Sequence, residues 1–248
     1  MKLIGKHFEV DINIASRTAL FDEVRKRFAA GQGFALATIN LDHVTKLENS
    51  PEFRAAYAAQ DLIVADGNPI VWTSKLAGDP LDLIPGSELV LPLAKLAAET
   101  GAPVALIGSN DASLAGAAET LNDHAPEINI VLQHAPAYGF DPTGDAARAL
   151  LAQIDASGAQ LVFIALGAPK QEHFAALGRT LAPKAGFASV GAGLDFLSGT
   201  QVRAPLWVRK IAMEWLWRLL SNPRRLFWRY AMCFMVLPGL VIRSRKAR

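Results

Sequence analysis

Cysteine is nearly absent from this 248-residue sequence. Cys233 stands alone, so neither an intrachain disulfide nor a cysteine-cluster metal site can form, and a reducing compartment is expected. No Asp-x-Asp pair occurs, and His7, His43, His124, His134 and His173 lack a ligand spacing such as His-x-x-x-His, so no metal and no cofactor are expected. No Gly-x-Gly-x-x-Gly follows the first strand with an acid about 20 positions later, which argues against a nicotinamide-dependent oxidoreductase. The longest uncharged apolar stretch, Tyr230 to Ile242, is thirteen residues with Pro238 and Gly239 inside it. Spanning a bilayer takes about 20, so no transmembrane helix is expected. The opening MKLIGKHFEVDI has charges throughout and no apolar h-region, which predicts no secretory signal.

What is present is a large apolar reserve. With 51% hydrophobic and 19% charged residues, the chain can bury a full-sized core and lacks the signature of disorder. Its net charge of +2 conceals a split. Residues 203–248 carry eleven Lys or Arg against one acid, Glu214, whereas the residues before them carry 14 basic and 22 acidic side chains. Such a split suggests that the tail meets a polyanion.

Up to about residue 200 a short apolar run, a glycine or polar turn and an amphipathic stretch recur, which reads as a parallel sheet with helical crossovers, an α/β Rossmann-like fold. Strands are expected at Phe34–Ile39, Leu62–Ala65, Val104–Ile107, Ile128–Leu132, Leu161–Leu166 and Phe187–Val190. Helices are expected at Arg17–Ala30, Pro51–Ala59, Pro69–Leu76, Ser87–Glu99, Asp111–His124, Thr143–Ala156 and Pro169–Leu181. From Pro205 tryptophan and arginine recur at helical spacing, and Ser221-Asn222-Pro223 divides this region into two helices. The organisation is therefore a catalytic-type body, 1–202, and a basic helical appendage, 203–248.

Right-handed crossovers place every strand-to-helix turn on one edge of the sheet, where α/β proteins bind ligands. Asp66 closes a strand ahead of Gly-Asn-Pro, so its carboxylate can act there as a general base or can cap the next helix. Thr38 and Asn40, alternating at a strand end, can hold a hydroxyl or cap a helix. Gly108 marks the turn of the third strand, and Gly191 and Gly193 form a close-approach loop ahead of Asp195. Gly167 precedes a proline-started helix whose free N–H groups suit a phosphate, with Lys170, Gln171 and Glu172 in its first turn. If a diphosphate leaves here with no metal to serve it, the candidate cations are Lys170 and the tail arginines, especially Arg203, Arg218 and Arg224, since Arg matches phosphate oxygens bidentately.

The tail's aromatic and arginine content fits docking at an anionic lipid headgroup layer, with a homo-oligomer interface or packing on the core as alternatives. Nucleic acid is not expected as a partner, because the acidic body would repel a long duplex. A non-catalytic module that binds anionic surfaces through the tail stays open beside the enzyme readings.

Thr38-Ile39-Asn40, Ala65-Asp66-Gly67 with Ile70-Val71-Trp72, Pro85-Gly86-Ser87, Leu106-Ile107-Gly108, Leu166 to Glu172, Val190 to Asp195, Arg203-Ala204-Pro205 and Glu214 to Arg218 together resemble the WecG/TagA/CpsF family, glycosyltransferase family 26. The resemblance implies a metal-independent inverting transfer from a UDP-sugar to a polyprenyl-diphosphate-linked saccharide in bacterial surface polysaccharide synthesis. It also implies a cytoplasmic location, peripheral on the inner face of the membrane. By resemblance Asp66 is the general base, Thr38 and Gln171 line the pocket, and Arg218 and Arg224 close over the diphosphate. One departure is Trp217 in Met213-Glu214-Trp215-Leu216-Trp217-Arg218, where many relatives have tyrosine; the ring is kept and the hydroxyl is lost.

Overall fold

The computed structural model describes residues 1–246, without the side chains of Leu206, Lys210 and Arg225; Ala247 and Arg248, the end of the expected appendage, lie outside the described residues. The chain opens with a two-stranded antiparallel hairpin, β1 (Lys2–Ile4) and β2 (Glu9–Asp11). Helix α1 (Arg17–Ala30) leads into β3 (Phe34–Ile39), followed by α2 (Leu41–Asn49), α3 (Pro51–Ala58), β4 (Leu62–Ala65), α4 (Asn68–Leu76) and α5 (Gly86–Thr100). The second half runs β5 (Val104–Gly108), α6 (Asp111–His124), β6 (Ile130–His134), α7 (Asp145–Ala156), β7 (Leu161–Ala165), α8 (Lys170–Leu181), β8 (Gly186–Ser189) and the short α9 (Gly193–Leu197).

The main sheet has six parallel strands in the order β4-β3-β8-β7-β5-β6. Strand residues alternate between two apolar layers, as period-two geometry requires. Phe34, Leu36, Leu106, Phe163 and Val190 pack with α1, α5 and α6 on one face. Ala105, Ile107, Val162, Ile164 and Phe187 pack with α7 and α8 on the other. Near the β4 edge, Ile39 and Ile63 join Val44, Phe53 and Tyr57 of α2 and α3. All six strands of the main sheet therefore end on the same edge, and the α/β reading holds.

Sequence and structure part at several places, the β1–β2 hairpin and α9 among them, since neither was among the expected elements. The edge strand β6 lies at Ile130–His134 rather than 128–132, because Ile128 is buried in the preceding turn and a bulge shifts the β5–β6 register at Val104 and Ala105. Helix α2 was not foreseen; Asn40 ends one element and caps the next with no connecting loop. The tail forms three helices, not two: α10 (Leu206–Lys210), α11 (Glu214–Ser221) and α12 (Pro223–Lys246), with Ala212 at φ +60° closing the turn between the first two.

A further difference concerns the apolar run around Pro238, which reads as too short to cross a membrane. The helix runs through it, and Leu226–Lys246 is long and apolar enough to cross a membrane by length and composition. One side of it packs on the body. Leu226, Cys233, Leu240 and Ser244 are buried where α12 meets α2, α4 and β1, and the Ser244 hydroxyl accepts a hydrogen bond from the Ile4 amide. Its other side leaves Phe227, Trp228 and Met235 exposed. Part of the tail's positive charge also turns inward: Arg229 pairs with Asp42 at 2.9 Å and Arg243 with Glu48 at 3.6 Å. The charge split thus records contact between tail and body as well as a basic outer surface.

Candidate active site

At the carboxyl edge of the sheet, strands β5 and β7 are neighbours whose next helices leave for opposite faces, which opens a crevice between their turns. Gly108 is needed here. A side chain on it would stand 2.6 Å from the Ala165 carbonyl, at φ +114°. Gly193 is also a packing glycine, because a Cβ would meet Val90 of α5 at 2.7 Å. Gly167 and Gly191 have positive φ and open space before them. The Ala168–Pro169 peptide between the Gly167 turn and α8 is cis.

Asp66 lies just past β4. Its amide bonds to the Ile39 carbonyl, and its side chain does not cap α4, whose N-cap is Gly67 with no side-chain bond. The carboxylate instead accepts a hydrogen bond from Asn40 Nδ2 at 3.3 Å, while Asn40 Oδ1 accepts from the His43 amide and caps α2. The capping reading of Asn40 therefore holds, and its amide nitrogen also reaches the Asp66 carboxylate. Burial pushes the Asp66 carboxyl up to about 6, against Asn40, Arg218 and Arg203, which favour its charged form; Glu214 opposes them. That value suits a group that must accept a proton near neutral pH.

Thr38 is buried, its hydroxyl beside the N-terminus of α5, where a Cβ on Gly86 would come within 3.0 Å. Helices α4, α5 and α8 begin without side-chain caps, and their first main-chain N–H groups face this edge. Lys170 does not stand free, because its ammonium donates to the Phe140 carbonyl at 2.9 Å. Asp195 accepts from Ser109 and from Gln201 Nε2, so it ties the β5 turn to the segment after α9.

The tail reaches this edge. Arg203 and Arg218 both stand over the Phe196 ring, at 5.8 and 5.6 Å, and Arg218 pairs with Glu214 at 2.7 Å. Arg203 and Arg209 share Glu88 of α5 with Arg17. Arg224 is exposed in the first turn of α12. Among the described residues no three His, Cys, Asp or Glu side chains converge to hold a metal ion.

Composition and spacing missed a buried polar group behind this edge. The Gly191 amide donates to Gln171 Oε1 at 3.1 Å, Gln171 Nε2 donates to Glu172 Oε1 at 2.8 Å, and His43 Nε2 lies 3.8 Å from the same oxygen. His43 Nδ1 in turn shares a hydrogen bond with the Tyr57 hydroxyl at 2.7 Å. Burial pushes Glu172 up to about 7, lowers His43 to about 3 and raises Tyr57 well above its ordinary value. Nothing in spacing links residues 43, 57 and 172. A cavity of about 450 Å³ lies elsewhere, beneath β2 and α3, lined by His7, Asn13, Arg54 and Gln60 among others. Asp66, raised by burial and felt by Arg218 and Arg203, stands instead at the carboxyl edge where the uncapped helices begin, which makes that edge the candidate site.

The glycosyl transferase WecG/TagA/CpsF family model matches residues 6–248, nearly the whole chain. The match covers both the carboxyl edge and the tail that reaches it, so the chain belongs to this family and is a glycosyltransferase of cell-surface polysaccharide biosynthesis.

Proposed function

We propose that this enzyme transfers a sugar from a UDP-sugar to a polyprenyl-diphosphate-linked saccharide, inverting the anomeric centre without a metal ion. The observation that carries this reading is Asp66, a carboxylate raised to about 6, held by Asn40 and approached by two tail arginines. Asp66 takes the proton from the acceptor hydroxyl as that oxygen forms its bond to the anomeric carbon. The bond from that carbon to the UDP oxygen breaks on the opposite side, so one displacement inverts the centre.

Charge on the departing diphosphate is met by Arg203 and Arg218, which match its oxygens bidentately, and by the free N–H groups of the uncapped helices. Gly108, Gly167, Gly191 and Gln171 form the surrounding turns, with Thr38 beneath. The acceptor is a lipid, and the surface beside the site suits one. Trp207, Trp228, Phe227 and Met235 are exposed on α10 and α12, and α4, which α12 touches, exposes Trp72 and Leu76. This arrangement supports an interfacial appendage, 203–248, on a body, 1–202, peripheral on the inner face of the cytoplasmic membrane.

Purified protein is to be assayed with a panel of UDP-sugars and a polyprenyl-diphosphate-sugar acceptor in anionic liposomes, with product configuration read by NMR. One UDP-sugar giving an anomerically inverted product with a chelator present supports the reading. No transfer from any UDP-sugar, or retained configuration, overturns it.

A further inference from the structure

Glu172 is 0% exposed in the first turn of α8, so it cannot touch a ligand at the carboxyl edge. Its carboxyl nevertheless ends a chain of hydrogen bonds that begins at that edge, on the Gly191 amide. A free glutamine amide can turn over and present either oxygen or nitrogen to a neighbour. Here the choice is made. Glu172 Oε1 accepts from Gln171 Nε2, which leaves Gln171 Oε1 to accept the Gly191 N–H.

Gly191 has φ +56° and nothing within 4 Å of where a Cβ would stand, so its turn lacks side-chain packing of its own at that point. We propose that Glu172 is a positioning residue that acts through Gln171, fixing the Val190–Gly193 turn in the form that binds the nucleotide; this rests on the donor reading above.

The back of the carboxyl is sealed by His43 of α2, itself held by Tyr57 of α3, and the Gln60 side chain donates to the Glu172 carbonyl. Among the described residues Glu172 Oε2 has no hydrogen-bond partner. A buried, unpartnered anionic oxygen is costly, and the neutral acid is less so. The charged groups around this cluster, Asp42 and Lys46 of α2, Asp66 past β4 and Arg229 of α12, act on it from a distance and partly cancel. An uncharged glutamine is then a close mimic of Glu172 in its resting state, whereas a residue that cannot reach Gln171 is not.

Four full-length variants test this: Glu172→Gln, Glu172→Met, Gln171→Ala, and Glu172→Met combined with Gln171→Ala. UDP affinity is measured by calorimetry, and hydrogen exchange of the 187–194 segment is followed without ligand. Glu172→Met is expected to weaken UDP about three- to tenfold, the worth of one hydrogen bond, and to speed exchange at Gly191. Glu172→Gln is expected to stay within about twofold of the parent, and Glu172→Met to add nothing in the Gln171→Ala background. Should Glu172→Met not fold, Glu172→Asp, too short to reach Gln171, carries the same expectation. Unchanged affinity and exchange in the Met or Asp variant, or full additivity with Gln171→Ala, would overturn the proposal. A parent protein that fails to bind UDP removes the donor reading instead, and the exchange result then decides the positioning role alone.

Discussion

Asn40 holds two elements with one side chain: its Oδ1 accepts the His43 amide at 3.1 Å and so starts α2, while its Nδ2 donates to Asp66 Oδ2 at 3.3 Å. The proposed base is thereby oriented by the same residue that caps the neighbouring helix. Asn40→Ala removes a bond that favours the charged carboxylate, so the Asp66 pKa rises further. It also costs about 1 kcal/mol of stability through the lost cap.

The pH dependence follows from Asp66. A base must be deprotonated, so log kcat/KM is expected to climb with unit slope below about 6 and to level above it. In Asn40→Ala the rising limb moves to higher pH. A flat profile between pH 5 and 7 in the parent would remove Asp66 from the proton transfer.

Arg218→Ala deletes a cation that lowers the Asp66 pKa and faces the proposed diphosphate. Turnover is expected to fall about 10²-fold, the cost of one preorganised charge stabiliser. Arg218→Lys restores part of it, since an ammonium cannot make the bidentate contact. Steady-state kinetics with saturating donor reads both effects.

Stability should carry the mark of Glu172. Its carboxyl holds a proton to about 7 when folded, against 4.5 ordinarily, so between these values the native state binds more protons than the unfolded state. Stability from this group therefore falls as pH rises from about 4.5 to about 7, by at most about 3 kcal/mol. Urea unfolding of Glu172→Gln should lack this fall. Equal slopes for parent and variant would place the Glu172 proton elsewhere.

The two sides of α12 should answer differently to substitution. Leu240 is fully buried, and Leu240→Ala is expected to cost about 2–5 kcal/mol in thermal or chemical unfolding. Trp228→Ser with Met235→Ser lies on the exposed side and should leave the Tm in place while lowering sedimentation with anionic liposomes several-fold. Point changes are cleaner than deletion of the tail, because removing α12 uncovers β1 and α2.

The alternating apolar runs made the sheet legible: β3 and β4 were located to the residue, as were helices α1 and α6, because two-sided burial leaves an uninterrupted apolar strand between clear caps. The turns at Asp66, Gly108, Gly167 and Gly191 were legible for the same reason. Elsewhere the controlling contacts are distant in sequence. The apolar run around Pro238 reads as thirteen residues, yet α12 continues through it to Lys246 while packed on β1 and α2. The cluster of His43, Tyr57 and Glu172 is assembled from three helices, and no local pattern announces it.

The most direct test is transfer by Asp66→Asn, measured in a single turnover with the UDP-sugar and lipid-linked acceptor that the parent uses. The substitution keeps the shape and removes the proton acceptor. Intact folding and UDP binding with transfer reduced by at least about 10²-fold is the expected result. Near-parental transfer by a folded Asp66→Asn protein would contradict the account.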